Sequence, residues 1–187
     1  MQTQLVIGSL GQIAAQNKTS IAETFIGADA VIIVDVSGSM NQRDSRGGRP
    51  RYDVALEELA RLQKQLPGKL AVICFSSTVQ FVPGGLPPML DGGTDLAGAL
   101  KFAKIADVPG VRFVVISDGE PNSQREALDA ARAFTNRIDT IYVGPEDDTN
   151  AREFLRELAE ASGGVHVEAA RVLELAARVQ LLLSASA

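Results

Sequence analysis

The chain has 187 residues and sets 18 Lys and Arg against 23 Asp and Glu, a formal net charge of −5, which leaves no basic face for nonspecific nucleic-acid binding. Its 45% hydrophobic and 22% charged residues are the balance of one ordinary globular domain with a full core. A single cysteine, Cys74, excludes an internal disulfide, and no apolar run reaches the roughly 20 residues of a membrane helix.

No basic stretch followed by a continuous apolar run opens the chain, so the sequence predicts no signal peptide and a reducing cytoplasm as the compartment. Over residues 1–28, Leu10, Ile13 and Ala14, then Ile21, Ala22 and Phe25, recur at helical spacing on either side of Asn17-Lys18-Thr19-Ser20. Ser20 or Thr19 caps the second of these two short helices, with Glu23 in capping-box position to Ser20. This segment is set apart as an N-terminal helical extension, and residues 29–187 as the main domain.

From residue 29 onward strand and helix alternate. The β-branched run Ala30-Val31-Ile32-Ile33-Val34 reads as a strand buried on both faces. After a polar loop, Pro50 suits the first turn of a helix with Val54, Ala55, Leu59 and Leu62 on one side, and Pro67-Gly68 ends it. Residues 70–75 and 78–82 follow closely enough to pair as a hairpin, the second at a sheet edge. Pro83-Gly84-Gly85-Leu86-Pro87-Pro88 is surface loop. A helix carrying Leu96, Leu100 and Ala103 then opens after Gly92-Gly93-Thr94. A strand over 111–116, a helix over 123–136, a strand over 138–143, a helix over 152–162, a short strand over 165–167 and a helix over 171–183 complete the order. This pattern predicts an α/β fold: a doubly wound, mainly parallel sheet of about six strands, helices on both faces, one edge strand antiparallel.

In open α/β sheets ligands bind beyond the carboxyl ends of the strands. Three loops at that edge carry oxygen donors. Asp35-Val36-Ser37-Gly38-Ser39-Met40 follows the first strand, with Gly38 letting the backbone curl so that both hydroxyls face one point. Thr94 stands after two glycines at a helix start, and Asp118 follows the strand over 111–116. Hard oxygen donors on tight loops suit Mg²⁺, or Mn²⁺ or Ca²⁺, far better than zinc or copper.

Asp-x-Ser-x-Ser, a distant Thr after glycines and a strand-final Asp-Gly resemble the metal-ion-dependent adhesion site of von Willebrand factor type A domains. The resemblance spans about residues 29–185, and Asp35, Ser37, Ser39, Thr94 and Asp118 fill all five motif positions. It implies that Ser37 and Ser39 bind Mg²⁺ directly, Thr94 directly or through water, and that Asp35 and Asp118 mainly orient the others. It further implies a protein partner that completes the metal shell with an Asp or Glu carboxylate, in some relatives within an assembly that includes an ATPase. Neither nucleic acid nor membrane is an expected partner. Relatives also couple metal coordination to sliding of the last helix, here Val172, Leu175, Val179 and Leu182 on one stripe; the other reading is static packing.

Blander readings stand beside these. Thr94 is also a good N-cap for its helix, and Cys74 and His166 read as structural. Asp95 and Glu120 either widen an acidic rim or are solvated surface carboxylates. Arg43, Arg46, Arg49 and Arg51 make their loop either an ordinary exposed one or a reader of an acidic partner. A phosphohydrolase of the haloacid dehalogenase type is the enzymatic alternative, but it wants a carboxylate where Ser37 stands, and no nucleotide-binding or nucleophile-elbow motif is present. A structural module with an empty metal site is the third reading. The sequence therefore predicts a cytoplasmic, non-catalytic, metal-dependent protein-binding adaptor.

Overall fold

The β-branched runs form the centre of one sheet. In the computed structural model, which describes residues 5–168, β1 (Ala30–Asp35), β2 (Leu70–Phe75), β4 (Arg112–Ser117) and β5 (Ile138–Tyr142) run parallel with β6 (His166–Glu168), and β3 (Val79–Phe81) pairs antiparallel with β2 at one edge. The order is β3-β2-β1-β4-β5-β6, as the alternating pattern predicts in class and strand number. Successive residues of a strand point to opposite faces. Val31 and Ile33 thus enter one core with Ala71, Ile73, Phe113 and Val115, while Ile32 and Val34 enter the other with Val72, Cys74, Val114 and Ile116.

Each face is covered by helices. Helix α3 (Arg51–Gln65) buries Val54, Ala55, Leu59 and Leu62 on the second core, and Pro50 stands at its N-cap. Helices α4 (Leu96–Ala103), α5 (Gln124–Arg132) and α6 (Thr149–Ala161) cover the first core through residues such as Leu100, Ala127 and Phe154. Two further helices, α1 (Leu10–Asn17) and α2 (Ile21–Ile26), precede the sheet; Ser20 caps α2, and Glu23 completes the capping box. Backbone bonds from Val6 to Gly84, Gly11 to Pro83 and Gly68 to Gly8 tie this segment to the rest, and Leu10 lies in the first core.

The strand ends shift by about one residue from the sequence reading, and at three helix ends the difference has a local reason. Helix α5 stops at Arg132 instead of running to 136, because the Thr135 and Asn136 amides are taken by the Asp107 carboxylate. Helix α6 begins three residues early, since Asp148 caps it by accepting from the Ala151 amide. Helix α4 is capped by Asp95, which accepts from the Gly98 amide, and not by Thr94. The helix predicted over 171–183 lies outside the described residues.

Candidate metal-binding site

Where β1 ends, the chain changes from apolar packing to a chain of hydrogen bonds among oxygens. Asp35 is fully buried; one carboxylate oxygen accepts from the Ser37 amide at 3.0 Å and the other from the Ser117 hydroxyl at 2.7 Å. The loop then makes a 3-10 turn at Gly38–Asn41, which brings the Ser37 and Ser39 hydroxyls to 3.2 Å of each other. Ser39 Oγ donates to Asp118 Oδ2 at 2.7 Å, so the loops after β1 and β4 meet through side chains that the sequence holds 79 positions apart.

Thr94 reaches the same edge by a different route. Its amide donates to Asn122 Oδ1, and the Asn122 amide donates back to the Thr94 carbonyl, both at 2.9 Å. This two-way clamp, a strand-like pairing made in part by a side chain, fixes the loop before α4 to the loop after β4. The loop after β1 joins it too, through the Gly38 amide on the Gly92 carbonyl at 3.0 Å. The Thr94 hydroxyl makes no hydrogen bond with a described residue. Gly38 is needed for closeness and not for an unusual φ: a Cβ there would stand 2.6 Å from Asp91 Oδ1 and 3.3 Å from the Gly92 carbonyl. Gly119 differs, because its φ of +80° is left-handed and a Cβ would meet the Ala151 carbonyl at 2.6 Å.

Charge at the site is held by one arginine. Arg51 opens α3 almost wholly buried, and its fork spans both loops. It donates to Asp118 Oδ2 at 2.8 Å and Glu120 Oε1 at 3.0 Å on one side, and to both oxygens of Asp44 and to Gln42 on the other. Burial alone would lower its affinity for the proton, but these carboxylates raise it well above the ordinary arginine value. Among the described residues Asp35 has no such cation. Burial first, then the neighbouring Asp118 carboxylate, push Asp35 up to about 7, against the hydrogen bonds from Ser37 and Ser117.

The residues present fit a hard divalent cation. Every donor at the meeting point of the three loops is oxygen, and among the described residues Asp35 lacks a cationic partner in a place that disfavours its charge and the Thr94 hydroxyl is uncommitted. Among the described residues no group of three or more His, Cys, Asp or Glu is placed to hold a metal ion, so the donors on hand are hydroxyls supported by two aspartates.

The predicted rim residues divide. Arg46 turns to Glu58 at 3.1 Å, Glu120 is bound to Arg51, and Asp95 spends an oxygen on capping α4. Arg43 is exposed and makes no ion pair with a described residue. For the four-arginine loop one placement is corrected: Arg51 is a buried clamp at the start of α3, while Arg46 and Arg49 stay partly exposed and pair with Glu58 and Glu57 of α3. Sequence reasoning passed over Asn122 and the part played by Ser117, and it placed Arg51 in a surface loop. One signal for Arg51 existed, because 51, 54, 55, 58 and 62 share a helical face, so Arg51 and Glu58 fall on the apolar side of α3. His166 accepts or donates at the Thr140 hydroxyl, 2.9 Å away on β5, and burial pushes the Cys74 thiol up to about 11, both in keeping with structural parts.

No family model matches the chain, and no curated protein matches it by sequence. Solved structures match its fold. An aerotolerance-related membrane protein from Bacteroides fragilis is 18% identical with a TM-score of 0.66, the match covering 84% of this chain and 99% of that one. A von Willebrand factor type A protein from Catenulispora acidiphila is 18% identical with a TM-score of 0.56, covering 82% of this chain and 41% of that one. The manganese-loaded TRAP protein of Plasmodium vivax is 17% identical with a TM-score of 0.55, covering 83% and 73%. At such identities the likeness is one of fold, and the fold is that of a von Willebrand factor type A domain. Among the described residues no helix is long and apolar enough to cross a membrane.

Proposed function

We propose that this chain is a divalent-metal-dependent protein-interaction module, without catalysis of its own, acting in the cytoplasm. Ser37, Ser39 and Thr94 supply the hydroxyl ligands, and Asp35 and Asp118 orient them and balance charge, as the adhesion-site motif of its sequence resemblance implies. The observation that carries the reading is the convergence of three loops on one point: Ser37 Oγ beside Ser39 Oγ, Ser39 Oγ on Asp118, and Thr94 clamped to Asn122 four positions after Asp118. A bound Mg²⁺ or Mn²⁺ supplies an open coordination position that an Asp or Glu carboxylate of a partner fills.

The chain's own part is to hold that point with few direct negative charges. Arg51 offsets Asp118 and Glu120, so neither carboxylate is free to saturate the cation. Weak affinity for the cation alone, and tighter binding when a carboxylate joins, follow from that balance. The phosphohydrolase reading has no observation in its favour, because Ser37 stands where the acid would be needed and Arg51 occupies the second carboxylate pair.

The test is a paramagnetic-resonance titration of Mn²⁺ into the full chain, with acetate standing in for the partner carboxylate. Weak binding that tightens with acetate, and that disappears in the Ser37→Ala/Ser39→Ala double variant, is the expected result. Binding that survives the double variant would place the ion elsewhere and sink the proposal.

A further inference from the structure

At the far end of α4 from the metal loops the surface changes character. A groove of about 550 Å³ opens between α2 and the end of α4, and every described side chain that lines it is apolar. Its floor is the sheet itself, Val31 of β1, Ile73 of β2 and Phe81 of β3. Phe25 of α2 stacks edge-on against Phe81, ring centres 5.7 Å apart, so the wall is built and packed. At its mouth stand Ile26 on α2 and Ile105 in the 3-10 turn Lys104–Ala106, each 84% exposed.

Isolated exposed apolar side chains need no explanation, but six on one groove do. Ile21, Phe25, Ile26, Phe81, Phe102 and Ile105 all line it and are between 38% and 84% exposed. With roughly 200 Å² for a whole large apolar side chain, their exposed parts come to on the order of 700 Å². A stable complex buries about 800 Å² on each partner, much of it apolar at the centre. A single small ligand could not cover that area.

We infer that this groove is the contact face of a homodimer, formed by two copies of the chain about a two-fold axis. An isologous interface requires a surface that fits itself. This one carries both halves of such a fit: a furrow floored by Phe81 and Ile73, and projecting isoleucines to enter the furrow of the other copy. The geometry also leaves the metal loops free. Helix α4 starts two residues after Thr94 and ends in the groove at Ala103, and its eight residues span about 12 Å. Pairing through the far end therefore presents two metal sites outward, and a partner carrying two acidic segments gains avidity without any new contact.

Sedimentation velocity of the full chain, from low to high micromolar, tests this. Wild type moves to twice the monomer mass as concentration rises, and Ile26→Asp/Ile105→Asp stays at monomer mass, a weakening of at least about tenfold. Both positions are exposed, so the double variant keeps its fold, checked by circular dichroism; Ile26→Ala/Ile105→Ala serves as a milder second variant with a smaller loss in the same direction. The dimer persists in chelator, which separates this inference from the metal reading. A wild type that remains monomeric throughout, or charged variants that pair as well as wild type, overturns it and leaves the groove to another occupant.

Discussion

Arg51 commits its guanidinium to five hydrogen bonds, on Asp44, Gln42, Asp118 and Glu120, and so fastens the loop after β1 to the loop after β4. Removing one partner of a buried charge pair costs more than the pair contributes, because the remaining charge stays buried and uncompensated. Arg51→Met is expected to lose roughly 3–5 kcal/mol, read as a lower urea midpoint at unchanged slope. Arg51→Lys keeps the charge without the fork and recovers only part of that loss. An unchanged midpoint in Arg51→Met would mean that the loops hold each other without the clamp. The five oxygen residues were legible in the sequence because each sits in a local pattern, Asp-x-Ser-x-Ser, Gly-Gly-Thr or strand-final Asp-Gly. Arg51, Ser117 and Asn122 were not, since their partners lie 67, 82 and 28 positions away and no local pattern joins them.

Among the elements, the crossover helices are held at their ends by short polar side chains. Asp107, just beyond α4, accepts from the Thr135 amide at 2.7 Å and from the Asn136 amide at 3.0 Å, and pairs with Lys104. It thereby joins the end of one crossover to the end of the next. Burial works to raise Asp107, but the Lys104 ammonium and the two amides outweigh it and hold the group at about 2. A carboxylate held below its unfolded value of about 3.9 stabilises the fold fully above that value and loses the contribution as pH falls toward 2. Asp107→Asn is therefore expected to be less stable than wild type at neutral pH, with the difference closing between about pH 4 and pH 2. Urea midpoints at a series of pH values measure it; a gap that stays constant with pH would assign the loss to packing and not to charge. Periodicity made the helices legible, yet it could not show that Asp107 stops α5 at Arg132, because an acceptor 28 positions away lies outside any helical window.

At the scale of the whole molecule, the fold was readable because β1, β2 and β4 are apolar runs too short for a helix, separated from one another by helical stretches. That alternation dictates parallel pairing and two covered faces, and it places the loops after β1 and β4 at one edge. The groove between α2 and α4 was not readable, since Ile26 and Ile105 look in sequence like any apolar residue near a helix end. The same topology makes the proposed cation site a property of the folded state: Ser37, Thr94 and Asp118 belong to separate units and scatter when the chain unfolds. A cation that binds only the folded state stabilises it by about 2.7 kcal/mol at a hundredfold excess over Kd, and each kcal/mol raises the melting temperature of a domain this size by about 2–4 °C. With the weak affinity proposed for the cation alone, the rise is expected to be absent at trace Mg²⁺ or Mn²⁺ and to grow as either ion is raised well above trace. Ser37→Ala/Ser39→Ala is expected to abolish the rise, as both hydroxyls are proposed ligands, while Ile26→Asp/Ile105→Asp is expected to keep it, because the groove lies at the other end of α4. Differential scanning calorimetry of the three proteins, with KCl matched for ionic strength, separates the cases. Equal rises in wild type and the double serine variant would trace the effect to general ion screening, and the three loops would then be a hydrogen-bonded junction and not a metal site.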